Sequence, residues 1–273
     1  MNYTFIEIAK VLTIGFLTGV FSGGFGVGGG IVCTPLLRLV MGVSPHVAIG
    51  TTMALIIPTS ISGAFNYLRK DLVDRPLSTQ LMIPAVVGVL LGAALTKVVH
   101  GQILMLMFAG LLTISGLDLV FGIGKKLSGS QDEDDAPEVE GATADTKAEP
   151  KRPSRLMILS IGLLAGCLAG FFGVGGGFVL VPCLLYFFKS PIKNAFGTSL
   201  LVIATVSVPG TITHFMLGHV DLPLMLAMMG GAIVGSFVGS SVAVKVKDSW
   251  LRKAFGIIML FVAVMLGWRE LNA

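Results

Sequence analysis

Residues 15–37 read GFLTGVFSGGFGVGGGIVCTPLL, and residues 162–184 read GLLAGCLAGFFGVGGGFVLVPCL. The two stretches align without a gap about 147 residues apart. They share FGVGGG at Phe25–Gly30 and Phe172–Gly177, and a proline follows each, Pro35 and Pro182. The match extends outward: Gly50-Thr51-Thr52 pairs with Gly197-Thr198-Ser199, Asp74 and Pro76 with Asp221 and Pro223, and Gly88 and Gly92 with Gly235 and Gly239. One single-residue slip occurs, around Ser44-Pro45 and Ser190-Pro191. Self-similarity at a fixed spacing marks a duplicated unit. The expected organisation is a first repeat at 1–124, a linker at 125–155 and a second repeat at 156–273.

Lipid is the expected solvent. Of 273 residues, 54% are hydrophobic and 12% charged, and the mean hydropathy is +0.89. Soluble domains carry roughly 25% charged residues, so these charges are too few to coat a water-exposed surface. Each half holds five apolar segments, at about 5–24, 31–43, 46–66, 77–99 and 103–123, then about 156–171, 178–188, 195–216, 224–244 and 254–268. A straight helical span needs roughly 20 residues. The second segment of each half is too short and lies between glycines and Ser-Pro, so it reads as a broken or partly re-entrant helix. The fold class is therefore an all-α polytopic membrane protein with two repeats and eight to ten spanning segments. The first apolar run meets no Lys or Arg before Lys10 and recurs mid-chain, unlike a secretory leader.

Charge sets the expected orientation. The loop after the third segment carries Arg69, Lys70 and Arg75 in the first half and no Lys or Arg in the second. The loop after the fourth segment carries Lys97 and His100 in the first half but Lys245, Lys247, Arg252 and Lys253 in the second. Because basic loops stay cytoplasmic, the two repeats should have inverted topology, an arrangement common in secondary transporters. The linker, opened by Gln131-Asp132-Glu133-Asp134-Asp135 and rich in acids, Ala, Thr and Pro, cannot bury a core. It is expected to be a disordered cytoplasmic tether, with both termini outside.

FGVGGG is the sharpest chemical feature. Consecutive glycines break a membrane helix, and the freed backbone must be satisfied by protein or a polar cavity. A helix starting just beyond aims unpaired N–H groups and its positive dipole end back at the glycines, which suits an anion. Gly26, Gly28, Gly29 and Gly30, with Gly173, Gly175, Gly176 and Gly177, are thus candidate binding residues; close helix crossing is the competing reading. Thr51, Thr52, Thr198 and Ser199 could donate to an oxyanion or cap their own helices. Arg38, inside a short apolar segment, is a further candidate, because an intramembrane Arg is costly; snorkelling to the interface is its alternative. Asn66 and Tyr67, matched by Thr213 and His214, line a path or mark the membrane interface. The Gly15-Gly19-Gly23, Gly162-Gly166-Gly170 and Gly231-Gly235-Gly239 spacings read as helix packing.

Several classes are excluded by pattern. Cys33, Cys167 and Cys183 are odd in number and lie in apolar runs, which suits neither a disulfide framework nor a zinc site. Residues 24–29 match GxGxxG but lie between apolar helices, and the second copy does not keep the pattern. HExxH, GxSxG and P-loop endings do not occur, and no basic, aromatic-interleaved face suits nucleic acid. No cofactor, metal or enzymatic activity is expected.

The paired FGVGGG motifs, the GTT and GTS that follow them and the charged central loop resemble the TauE/SafE family of membrane permeases, over essentially the whole chain except the linker. That resemblance implies transport of a small sulfur-containing or organic anion such as sulfite or a sulfonate, in a bacterial inner membrane. The residues alone support a small anion bound mid-membrane between the two glycine turns, two halves that rock, and a proton as candidate coupling ion. An anion channel and a non-transporting membrane subunit are the alternatives.

Overall fold

The computed structural model describes residues 5–121 and 154–272, with side chains from Ala9 onward. Most of the 125–155 linker lies outside the described residues. Ten α-helices run through the described residues. They are α1 (Phe5–Phe25), α2 (Gly30–Val40), α3 (Pro45–Leu68), α4 (Arg75–Leu95) and α5 (Gly101–Phe121), then α6 (Arg155–Phe172), α7 (Gly177–Tyr186), α8 (Ile192–Met216), α9 (Leu222–Ala243) and α10 (Asp248–Leu271). No strand occurs among the described residues. Among the described residues, seven helices are long and apolar enough to cross a membrane; Ala9–Phe25, Gly30–Val40 and Gly177–Tyr186 are apolar but shorter. Large apolar side chains such as Ile83, Ile114, Val264 and Trp268 stand exposed. An all-helical backbone with apolar outward faces suits hydrocarbon, where no water satisfies main-chain groups.

The repeats interlock. The first helix of each packs along the fourth helix of the other, α1 on α9 and α6 on α4. Small residues set both seams. A Cβ at Gly15, Gly19 or Gly23 would strike the Met228, Ala232 or Ser236 carbonyl, and one at Gly166 or Gly170 would strike the Ala85 or Val89 carbonyl. In hydrocarbon, helices gain little from hiding apolar surface, so close backbone approach through small residues carries the association. The numbers rise together along each seam, so paired helices run parallel. Counterpart helices run antiparallel: Gly50 meets His219 while Gly197 meets Leu72 across α3 and α8, and Gly267 meets Ala109 while Gly116 meets Gly256 across α5 and α10.

Two ends of the bundle can be told apart. Gly197 lies against the Leu72 carbonyl, and Lys193 pairs with Asp248 at 3.3 Å. The loops bearing Arg69, Lys70, Lys245 and Lys247 therefore share one end, here called the basic end. At the other end Gly50 lies against the His219 carbonyl and Gly101 against Pro45, with His46 beside it.

Candidate functional site

Each glycine turn reverses the chain from a long helix into a short one. Gly26, Gly28 and Gly29 have φ of 69°, 75° and 86°, and Gly173, Gly175 and Gly176 have φ of 63°, 81° and 77°. Residues with a Cβ rarely adopt this left-handed region, so the motif needs glycine to make its turn. Helices α2 and α7 start at Gly30 and Gly177 with left-handed N-caps and no side-chain cap. Their first N–H groups therefore lack the usual capping oxygen.

The two turns meet at the centre of the molecule. A Cβ at Gly30 would collide with the Val174 backbone, and one at Gly177 would lie 2.5 Å from the Val27 Cα. Gly28 and Gly175 both face Ile56 and Ile203, which are buried and fill the space between the turns. The sequence brings the right segments to one place. In this conformation, however, they pack directly against each other and an apolar plug.

The hydroxyls of the GTT and GTS segments are engaged in cross-links between segments. Helices α3 and α8 begin well before these residues, so Thr51 and Thr198 lie inside their helices and cannot cap them. Instead Thr51 Oγ1 accepts the Asp221 N–H at 2.9 Å, and Thr198 Oγ1 accepts the Asp74 N–H at 3.0 Å. Asp221 and Asp74 are themselves N-caps of α9 and α4. Thr52 Oγ1 accepts from the Thr34 hydroxyl at 3.1 Å. Ser199 Oγ donates to the Gly26 and Phe196 carbonyls, and Thr59 Oγ1 donates to the Gly28 carbonyl at 3.1 Å.

The remaining candidates separate. Asn66 and His214 are buried, not interfacial: α9 of the other repeat covers Asn66, while His214 packs on α6 of its own repeat. Asn66 Nδ2 donates to Phe237 O and to the Ser240 and Ser241 hydroxyls, joining α3 to α9. His214 Nε2 donates to Gly170 O at 2.9 Å, and Tyr67, its counterpart, donates to Gly23 O at 3.0 Å. Arg38 neither snorkels nor points at the turns. It pairs with Glu270 at 2.7 Å and donates to Val43 O, fastening the end of α2 to α10.

Two residues not singled out from the sequence stand beside the first turn. Thr18 and Ser22 are 1% and 0% exposed, and their hydroxyls find no hydrogen-bond partner among the described residues. The Cys33 thiol lies near Thr18, a weak partner for a hydroxyl. A Cβ at Gly29, the N-cap of α2, would lie 2.8 Å from the Thr18 methyl and 3.2 Å from the Ser22 Cβ. Gly176, the equivalent N-cap, faces Ala165 and Ala169. Aligning the repeats shows this Thr/Ala and Ser/Ala difference; two small polar residues in a glycine-rich helix simply read as packing.

The packed apolar helices, with their chain breaks at the centre, make an all-α polytopic membrane protein, and the relatives it matches are membrane transporters. The chain belongs to the sulfite exporter TauE/SafE family, whose profile matches residues 11–266. A probable membrane transporter protein of Xylella fastidiosa is 30% identical over 262 residues, covering 94% of this chain and 92% of that one. The probable membrane transporter YunE of Bacillus subtilis is 28% identical over 271 residues, 94% of each chain. A sulfite exporter TauE/SafE family protein of Arabidopsis thaliana is 33% identical over 122 residues, 42% of this chain and 26% of that one. No solved structure matches the chain.

Proposed function

We propose that this protein is a secondary carrier for a small anion, sulfite or a related sulfonate or carboxylate, in a bacterial inner membrane. The family supports the substrate class, and the charge pattern supports cytoplasmic placement of the basic end and the linker. One observation carries the site: two buried hydroxyls, Ser22 without a partner among the described residues and Thr18 with at most the weakly bonding Cys33 thiol, beside the start of α2, which no side chain caps. Buried polar groups are almost always paired. These hydroxyls, next to a helix start that no side chain caps, form a donor set that a bound oxyanion would complete, with Gly26–Gly30 from one turn and Gly173–Gly177 from the other. Thr51, Thr52, Thr198 and Ser199 would join once their present bonds break.

The repeats would form an inverted pair. The moving bodies would then be the interlocked sets, α1 with α2 and α9 against α6 with α7 and α4, because a rock of whole sequence halves would tear both glycine seams. Separation across Ile56 and Ile203 would expose the turns to one side at a time. A coupling proton is compatible with this scheme.

The test is uptake by the purified full chain in liposomes, offered sulfite, thiosulfate, methanesulfonate or acetate. Saturable flux of one anion is expected, and loss of more than about tenfold on T18V/S22A. Removing an orphan hydroxyl leaves no new unpaired group, so this variant should stay as stable as the parent. No flux of any of these anions would reject the carrier. Flux that never saturates would identify a channel. Full activity in a folded T18V/S22A would reject the hydroxyl site.

A further inference from the structure

We propose that His46, His214 and His219 form a one-proton site whose loading releases Thr51, coupling proton entry to the candidate anion site. This rests on the transport reading above. The three rings come from the first turn of α3, the last turn of α8 and the α8–α9 loop. His219 lies 5.0 Å from His46 and 5.7 Å from His214, centroid to centroid.

The partners assign the tautomers. A carbonyl only accepts, so His214 Nε2, 2.9 Å from Gly170 O, carries a hydrogen. In the neutral ring its Nδ1 is then a bare acceptor, facing His219 Nδ1 at 3.4 Å. His219 Nδ1 must supply the hydrogen for that long bond. His46 Nε2 lies 3.3 Å from Thr96 O and 3.2 Å from Val99 O, so it too bears a hydrogen. Two lone pairs remain open among the described residues, on His219 Nε2 and His46 Nδ1. A solvent proton can add to either without breaking a bond. A charge on one opposes charge on the other at this separation, so the cluster takes one proton in its first step.

The surroundings favour the empty state near neutrality. Lys97, on the 3-10 turn after α4, adds positive charge near His219. His100 follows Val99 in the same loop. The Asp221 carboxylate, two residues beyond His219, accepts the Leu224 N–H. From α6 the facing group is the uncharged Gly170 carbonyl. His219 lies outside the spans, half-buried; burial first, then the charges of His46 and Lys97, hold its pKa below the usual histidine range.

Loading reaches the anion site through the chain. The His219 carbonyl rests on Gly50, and Asp221 N–H donates to Thr51 Oγ1. A cation at His219, repelled by Lys97, pushes residues 217–221 away from Gly50 and Thr51 and frees that hydroxyl. At the basic end the equivalent positions hold Tyr67 and Leu72, which do not titrate near neutral pH. The histidine cluster therefore has no counterpart at the basic end, and by the charge rule its own end faces the outside.

The test begins with histidine nitrogen NMR of the full chain in detergent, which contains four histidines. His219 should show one acid step below the ordinary histidine midpoint of about 6.5, and that step should also move the ring signals of His46, which is 5.0 Å away. That step should vanish in H219N, whose amide keeps a donor but cannot titrate, and persist in H100Q. Independent ordinary titration of all four rings would overturn the site. In liposomes, a pH gradient should drive wild-type uptake of thiosulfate, whose charge is fixed over this range, and should not drive uptake by H219N. A surviving gradient response in H219N overturns the coupling. Absence of wild-type flux for every anion tested removes the carrier reading and with it the coupling, while the NMR titration still decides whether the proton site exists.

Discussion

The Thr51 hydroxyl accepts the backbone N–H of Asp221 from the opposite repeat, and Thr198 does the same for Asp74. Each bond fastens the start of a fourth helix to a third helix of the other repeat. Removing the acceptor leaves a part-buried N–H without a partner, which costs about 1–3 kcal/mol. T51V and T198V should each lower the melting temperature in detergent, and T51S should restore it. Unchanged melting in both valine variants would mean the bonds contribute nothing.

Glycines on the two seams should be far less tolerant than glycines elsewhere. A Cβ at Gly19 or Gly166 meets a backbone carbonyl, which cannot rotate away, while Gly110 and Gly230 have open space. G19A and G166A should abolish or sharply reduce monodisperse protein in fluorescence size-exclusion chromatography, whereas G110A and G230A should run like the parent.

Arg38, partly buried, pairs with the buried Glu270. Losing one partner strands the other charge, at a cost of about 3–5 kcal/mol, while replacing both with apolar residues often recovers the loss. E270Q and R38M should each melt well below wild type, and R38M/E270M should melt above either. A double variant no better than the singles would show that the remaining contacts of Arg38, such as that to Val43 O, dominate.

The grouping of loops predicts labelling. Single cysteines at Lys70 and Lys247, in a background lacking Cys33, Cys167 and Cys183, should react with an impermeant maleimide from the same side of inverted vesicles. A cysteine at Gly218 should react from the opposite side. Labelling of Lys70 and Lys247 from opposite faces would break the inverted-repeat reading.

Stability should fall on the acid side. The His219 pKa is depressed in the folded protein, so the unfolded chain binds the proton more readily. Its contribution is complete above about pH 6.5 and is lost as the pH drops below that. A melting series from pH 8 to pH 5 should decline more steeply for wild type than for H219N.

The sequence shows local and repeated features well. Glycine runs forced the left-handed turns, short apolar segments became α2 and α7, and GxxxG rows became seams, because each depends on residues near one another in the chain. The partners across seams were not legible. Nothing at Thr51 points to Asp221, and His46, His214 and His219 are scattered through a chain with no repeated histidine. Asn66 and His214 could be read as path-lining or interfacial, because basic residues follow Asn66 closely; their partners, α9 of the other repeat for Asn66 and the distant Gly170 for His214, are not shown by local sequence. Thr18 and Ser22 stand out only when the repeats are compared position by position after the turns are placed.

The exchange of neighbours between α1 and α9 bears on how the protein is made. The first helix to leave the ribosome finds its lasting companion only after most of the chain has been synthesised. Until then its row of glycines lies open to lipid or to an insertase. A protein co-expressed as two fragments, split between residues 125 and 155, should therefore co-purify as a pair, while either fragment expressed alone should be degraded.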